Sequence, residues 1–135
     1  MKKTILLLEI MLLTGCLGNS LKGYITKTCT KKENINGNIV ETEINITSKK
    51  GNVETILIKE TYDKNMDIET IKNSKKSEQN LYKTEPGIDL NIEENTFLYR
   101  INTKEIREFI KTRFNIKEEQ HKQINTYESL GYTCK

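Results

Sequence analysis

The chain has no tryptophan, a single proline, a single histidine and only 7 glycines among 135 residues. His121 stands between Gln120 and Lys122 on a polar stretch, where a solvent-facing imidazole is expected and not a catalytic base. No combination of Ser, His and Asp suggests nucleophilic catalysis, and no glycine-rich loop could cradle a phosphate. The 22 basic and 19 acidic side chains are interleaved, leaving a net charge of +3. That balance argues against nucleic acid as a partner, which needs a concentrated basic face. The richest basic stretch, Lys72 to Lys76, reads as a solvated helix face. The abundance of Lys, Ile and Asn fits an AT-rich coding sequence and carries no functional information.

The longest apolar run is also too short to span a bilayer. Thr4 to Leu13 would rise about 15 Å as a helix, roughly half the hydrocarbon thickness. What precedes and follows that run is informative. Lys2 and Lys3 come before it, and Leu13, Thr14, Gly15 and Cys16 close it, as in a bacterial lipoprotein export signal with a lipobox-like cleavage site. Residues 1–15 are therefore expected to be a signal peptide, 16–23 a lipidated tether and 24–135 a single domain. Glu9 disagrees, because a carboxylate inside an apolar run is costly; protonation or a place near the membrane surface would relieve that cost. The competing reading is a cytosolic chain with an apolar amino-terminal helix.

Lipidation of Cys16 would place two acyl chains on the thiol side of the mature terminus, and two chains give stable anchoring where one gives only reversible binding. The tether from Leu17 to Gly23 would reach at most about 25 Å. Cys29 and Cys134 then remain as an even pair in an exported domain, for which one disulfide is the direct inference. A redox role would want a close Cys-x-x-Cys pair, which this chain lacks.

Periodicity predicts an α+β domain with an antiparallel sheet of about five strands, a meander plus a hairpin, packed with two to three helices. Tyr24 to Thr30 reads as a strand. Thr42, Ile44 and Ile46 alternate with polar neighbours, Gly51 marks a hairpin turn, and a third strand runs from Val53 to about Tyr62. Met66 to Tyr82 changes to helical period, with Ile68, Ile71, Lys75, Gln79 and Tyr82 along one stripe and Asp63 or Asn65 as the cap. Pro86 and Gly87 mark a turn. Ile88 to Ile92 and Phe97 to Ile101 form a second hairpin. Asn102 with Glu105, and Asn115 with Glu118, have capping-box spacing and predict two closing helices. The first should bury Ile106, Phe109 and Ile110, and the second should end at Gly131.

Asp63, Asn65, Asp67 and Glu69 resemble the opening of a calcium loop, but Ile68 stands where Gly is wanted and Ser74 where the bidentate Glu belongs. Capping and solvation account for these acids instead. Asn45, Ile46 and Thr47 form a glycosylation sequon, which carries no weight in a bacterial lipoprotein.

A first mature strand ending in Cys29 and Thr30, two hairpins separated by a helix, and a carboxy-terminal helix closing on Leu-Gly-Tyr-Thr-Cys-Lys together resemble the YehR-type small bacterial lipoproteins and their cysteine-paired relatives. The resemblance implies a lipid-anchored α+β domain with an antiparallel sheet, and it brings no catalytic residues. Glu9 and the weakly apolar middle helix depart from that pattern. The expectation is a non-enzymatic envelope lipoprotein on the extracytoplasmic side of the cell membrane. It would need no cofactor or metal and act as a binding or adaptor module for a protein, peptide or cell-wall component. The alternative is an inhibitor of an envelope-active hydrolase, with the turn around Pro86 as the inserting loop. An enzyme is the third reading.

Overall fold

Alternating apolar and polar residues dominate this chain, and they build a sheet with one dry face. The computed structural model describes residues 23–135. The proposed signal peptide, Cys16 and all but the last residue of the tether lie outside the described residues. Strands β1 (Tyr24–Ile35), β2 (Asn38–Lys49) and β3 (Asn52–Tyr62) form an antiparallel meander. Helix α1 (Ile68–Tyr82) leads to the hairpin of β4 (Ile88–Glu93) and β5 (Thr96–Asn102), and short helices α2 (Glu108–Arg113) and α3 (Gln120–Ser129) precede β6 (Thr133–Cys134). The sheet has six strands in the order β4-β5-β3-β2-β1-β6, and every pairing is antiparallel.

Register lines up the core across all six strands. Cys134, Cys29, Ile44, Ile58, Tyr99 and Leu90 stand side by side in one row, and Ile46, Ile56, Ile101 and Ile88 in the next. Because side chains alternate across a strand, both rows point to the same face. Ile106, Ile110 and Tyr127 from the helical segments cover them, and Ile71 packs at the margin. The opposite face carries Thr28, Thr30, Glu43, Lys59, Asp89 and Arg100, with Leu57 and Leu98 between them, and no helix of the described residues lies over it.

The expected α+β architecture is therefore present, with six strands in place of about five. Cys134 and Thr133 form the additional one, too short to be recognised by alternation. Strand β1 runs on to Ile35 and β2 starts at Asn38, earlier than the alternation around Thr42 indicated. The reason is the Asn36-Gly37 turn, whose residues lie at φ 53° and 87°, the pair of positive angles that a two-residue hairpin demands. Helix α1 is capped by Asp67, whose side chain accepts from Thr70 N, and not by Asp63 or Asn65.

Neither capping-box motif starts a helix. Asn102 ends β5 and its Oδ1 accepts from Lys104 N at 3.1 Å, while Asn115 takes φ 55° in the linker between α2 and α3. Helix α3 starts without a side-chain cap, and Gln123 holds the linker before it instead. Fully buried, it accepts from Lys117 N at 2.7 Å and donates to Asn115 O at 2.9 Å, fixing the linker to α3. Because α2 begins only at Glu108, Ile106 and Ile110 are buried but Phe109 is 45% exposed. Gly131 does close α3, at φ 98°.

Two glycines at positive φ separate backbone strain from close packing. At Gly51 (φ 82°) an added Cβ would meet nothing within 4 Å, whereas at Gly87 (φ 79°) it would lie 2.8 Å from Glu105 Cβ and 2.9 Å from Ile106 N. Gly87→Ala is expected to cost about 2 kcal/mol or more, since the left-handed penalty of about 1–2 kcal/mol is joined by a clash with backbone. Gly51→Ala should lose only the first part. Urea unfolding of the two variants side by side checks this, and equal midpoints would show that the turn is loosely seated.

Candidate functional site

Three features could carry function: the cysteine pair, a polar cluster beneath α1, and the uncovered sheet face. Antiparallel pairing of β1 with β6 sets Cys29 opposite Cys134, and their sulfur atoms are 2.00 Å apart. Thr28 and Lys135 exchange both backbone hydrogen bonds, at 3.0 and 2.8 Å. The cysteines therefore occupy the neighbouring non-hydrogen-bonded position, where strands approach most closely. Cys29 is fully buried.

The polar cluster is built by alternation in the strands and by the helical stripe of α1. Glu60 lies on the covered face of β3, Tyr99 projects from β5, and Lys75, Glu78 and Tyr82 come from successive turns of α1. Lys75 Nζ donates to Glu60 Oε1 and to Tyr99 Oη, both at 2.7 Å. Tyr99 Oη donates onward to Glu78 Oε1 at 3.0 Å, and Glu78 Oε2 accepts from Tyr82 Oη at 2.8 Å and Arg113 Nη2 at 3.1 Å. The ammonium also sits 5.1 Å from the Tyr99 ring centre and 5.6 Å from that of Phe97. Lys75, with its side chain only 13% exposed, is thus turned inward, so Lys72 to Lys76 is not wholly a solvated face.

Electrostatics make this cluster a clamp. Two cations face two carboxylates. Burial works to raise the Glu78 pKa, but hydrogen bonds from Tyr82, Tyr99 and Arg113 and the charge of Lys75 outweigh it and hold the carboxyl below its usual range. Burial, followed by the nearby Glu78 and Glu60 carboxylates, pushes the Tyr99 phenol up, and burial with the Glu78 hydrogen bond does the same to Tyr82. Tyr62, at the edge of the cluster, is pushed up to about 12 by burial and by Glu60, Glu78 and Glu33. These phenols are held as proton donors, the opposite of what an activated nucleophile or base requires. The hydrogen bonds tie α1 to β3, β5 and α2.

The remaining candidates from the sequence are placed as follows. His121 is exposed on α3, 3.5 Å from Glu119. Asp63 Oδ1 accepts from Asn65 N at 2.9 Å in the turn before α1, Asp67 accepts from Thr70 N and Thr70 Oγ1, and Glu69 lies in the first turn. These acids serve the helix start. Asn45 Oδ1 accepts from Thr28 Oγ1 at 2.7 Å within the sheet. The Pro86 turn is packed down, since Gly87 O accepts from Asn102 N at 2.7 Å and Gly87 abuts Glu105 and Ile106. Sequence reasoning missed the polar cluster. Its signal was Lys75 and Glu78 on the inward stripe of α1, together with Glu60 at an inward position of β3.

The uncovered sheet face is mainly polar, with Ile39, Leu57 and Leu98 as its apolar members. A shallow concavity of about 470 Å³ runs over it, with Thr30, Lys32, Glu41, Glu43, Lys59 and Thr61 in its lining. Among the described residues no helix is long and apolar enough to cross a membrane. Comparison with family models, with curated proteins and with solved structures gave no match to this chain.

Proposed function

We propose that this chain is a cell-envelope lipoprotein, anchored by acyl chains on Cys16, whose sheet domain is a non-catalytic binding or adaptor module of the YehR type. The observation that carries this reading is the cysteine pair. Cys29 and Cys134 are brought together only by the completed sheet, and such a crosslink belongs to oxidising, extracytoplasmic surroundings. It accompanies a lipobox ending in Cys16, eight positions ahead of the first strand residue, Tyr24. A tether that short keeps the module within about 25 Å of the bilayer, which raises its effective concentration towards anything else held there.

The non-catalytic part of the proposal is supported by the Lys75–Glu78 cluster, whose donors and acceptors are spent on one another. The mainly polar, uncovered sheet face is the broad surface left for an envelope protein, peptide or cell-wall ligand. Growth of producing cells with a tagged fatty acid tests the anchor. The wild-type band should carry the tag, and Cys16→Ser should lose it entirely while accumulating as unprocessed precursor. Equal labelling of both, or labelling of neither, would overturn the lipoprotein reading.

A further inference from the structure

The two ends of the sheet differ in charge, and the end at which the chain enters is the basic one. Lys49 and Lys50 form the exposed tip of the β2–β3 hairpin, paired in register with Tyr24 at the start of β1. The segment before α3 is bonded onto this tip through Val53 N to Glu118 O and Gln120 N to Gly51 O, each 2.9 Å. It brings Lys117 beside Lys104 around a depression of about 470 Å³ that Lys111 also lines. Carboxylates are present here too. Glu54 is held by Lys104 at 3.0 Å, Glu119 lies 3.5 Å from both Lys122 and His121, and Glu118 lines the depression. The opposite end carries the Glu93–Glu94 turn, with Asp63 and Glu33 near it in register, and its cations are Lys64 and Lys32, the latter 3.3 Å from Glu41.

Apolar and aromatic groups accompany the lysines. Ile25, the second residue of β1, is 54% exposed. Next to it the Tyr24 ring lies 5.1 Å from Lys49 Nζ. A tyrosine at headgroup level, an aliphatic side chain able to enter the acyl boundary and lysines around them are what a protein surface resting on a bilayer presents.

We propose that this tether-proximal end, formed by Lys49, Lys50, Lys104, Lys117, Tyr24 and Ile25, docks on the headgroups of an anionic phospholipid bilayer. The inference rests on the lipoprotein reading for its orientation: a lipid on Cys16 holds Tyr24 within about 25 Å of the membrane, whereas the 12 residues of β1 carry the acidic end about 40 Å farther along the strand. Lysines within a Debye length of the surface, about 8 Å at physiological salt, feel its negative potential. The lipid then sets the distance, and the lysines set which way the domain stands.

Lysine acetylation read by mass spectrometry tests this on the lipidated protein isolated from producing cells and reconstituted in vesicles. In phosphatidylcholine with an equal part of phosphatidylglycerol, labelling of Lys49, Lys50 and Lys104 should fall at least threefold relative to vesicles of phosphatidylcholine alone. Lys64 and Lys72 should be unchanged, and 1 M salt should abolish the difference. The double variant Lys49→Glu, Lys50→Glu, altered only at an exposed turn, should stay with the vesicles through its lipid yet lose the protection of Lys104. Equal labelling in the two vesicle types overturns the docking surface. The intact mass of the same sample reports acylation of Cys16 separately. If the acyl groups are missing, the anchor is refuted, and sedimentation of that protein with the phosphatidylglycerol vesicles alone decides whether the basic end docks.

Discussion

Replacing both Cys29 and Cys134 with serine is expected to cost the domain about 4 kcal/mol. Their sulfurs close a loop across 105 positions, and the chain-entropy model assigns a loop of about that length about 4.7 kcal/mol. Removing a native bridge from a small secreted domain typically costs about 2–5 kcal/mol. Against this, Cys29 is fully buried, so a serine there leaves a hydroxyl in the core row between Ile44 and the end of the sheet. The loss should also release β6, which pairs with β1 through only two residues. Urea unfolding of the oxidised wild type, the reduced wild type and the double variant reads the effect. The last two should lie well below the first, with the double variant the lower of the pair because of its buried hydroxyl. Intact mass after thiol blocking, with and without reductant, must show two thiols appearing only on reduction. Two free thiols in the isolated protein, or identical midpoints for all three samples, would rule the crosslink out.

Glu78→Ala should come next in size, at about 2–3 kcal/mol. The substitution strands the Tyr82 and Tyr99 hydroxyls and leaves Lys75 and Arg113 with one carboxylate, Glu60, between them. Breaking a fully buried ion pair costs about 3–5 kcal/mol, and the partial exposure of Arg113 lowers that figure. Titration supplies a second measurement. Because the folded-state pKa of Glu78 is lowered, its contribution is complete above the unfolded carboxyl value near about 4.3 and is lost as pH falls through the folded value. The stability difference between wild type and Glu78→Gln should therefore shrink on going from pH 6 towards pH 3. A difference that stays constant, or grows in acid, would mean that Glu78 is not the charged hub of the cluster.

Much of the fold could be read from local pattern, because a half-buried sheet writes its period into the chain. Ile44 and Ile46, Ile56 and Ile58, Leu90 and Tyr99 fall on the dry face as alternation requires. Gln79 and Tyr82 follow the helical stripe, Gln79 Nε2 bonding Leu90 O at 2.7 Å and so occupying an acceptor on the β4 edge. Helix starts were less legible. Asn102 and Asn115 have the side chains and spacing of caps, but sheet pairing keeps one extended and the other turns into the left-handed region. An Asn followed three residues later by an acid serves a turn as well as a helix. The polar cluster needed tertiary information to be assembled. Helical spacing sets Lys75 apart from Lys72 and Lys76 on the inward stripe, but only the arrival of Glu60 from β3 and Tyr99 from β5 shows what it bonds.

The bond between the first and last strands also turns nearly the whole domain into a covalent ring. A single backbone cut at any exposed bend inside it, such as Gly37, Gly51 or Glu94, would leave the molecule in one piece and both halves still fastened to whatever holds the amino terminus. Under the proposed lipid anchor, a nicked domain would then stay attached at the membrane. Cys134 is as indispensable to that endurance as any residue in the core.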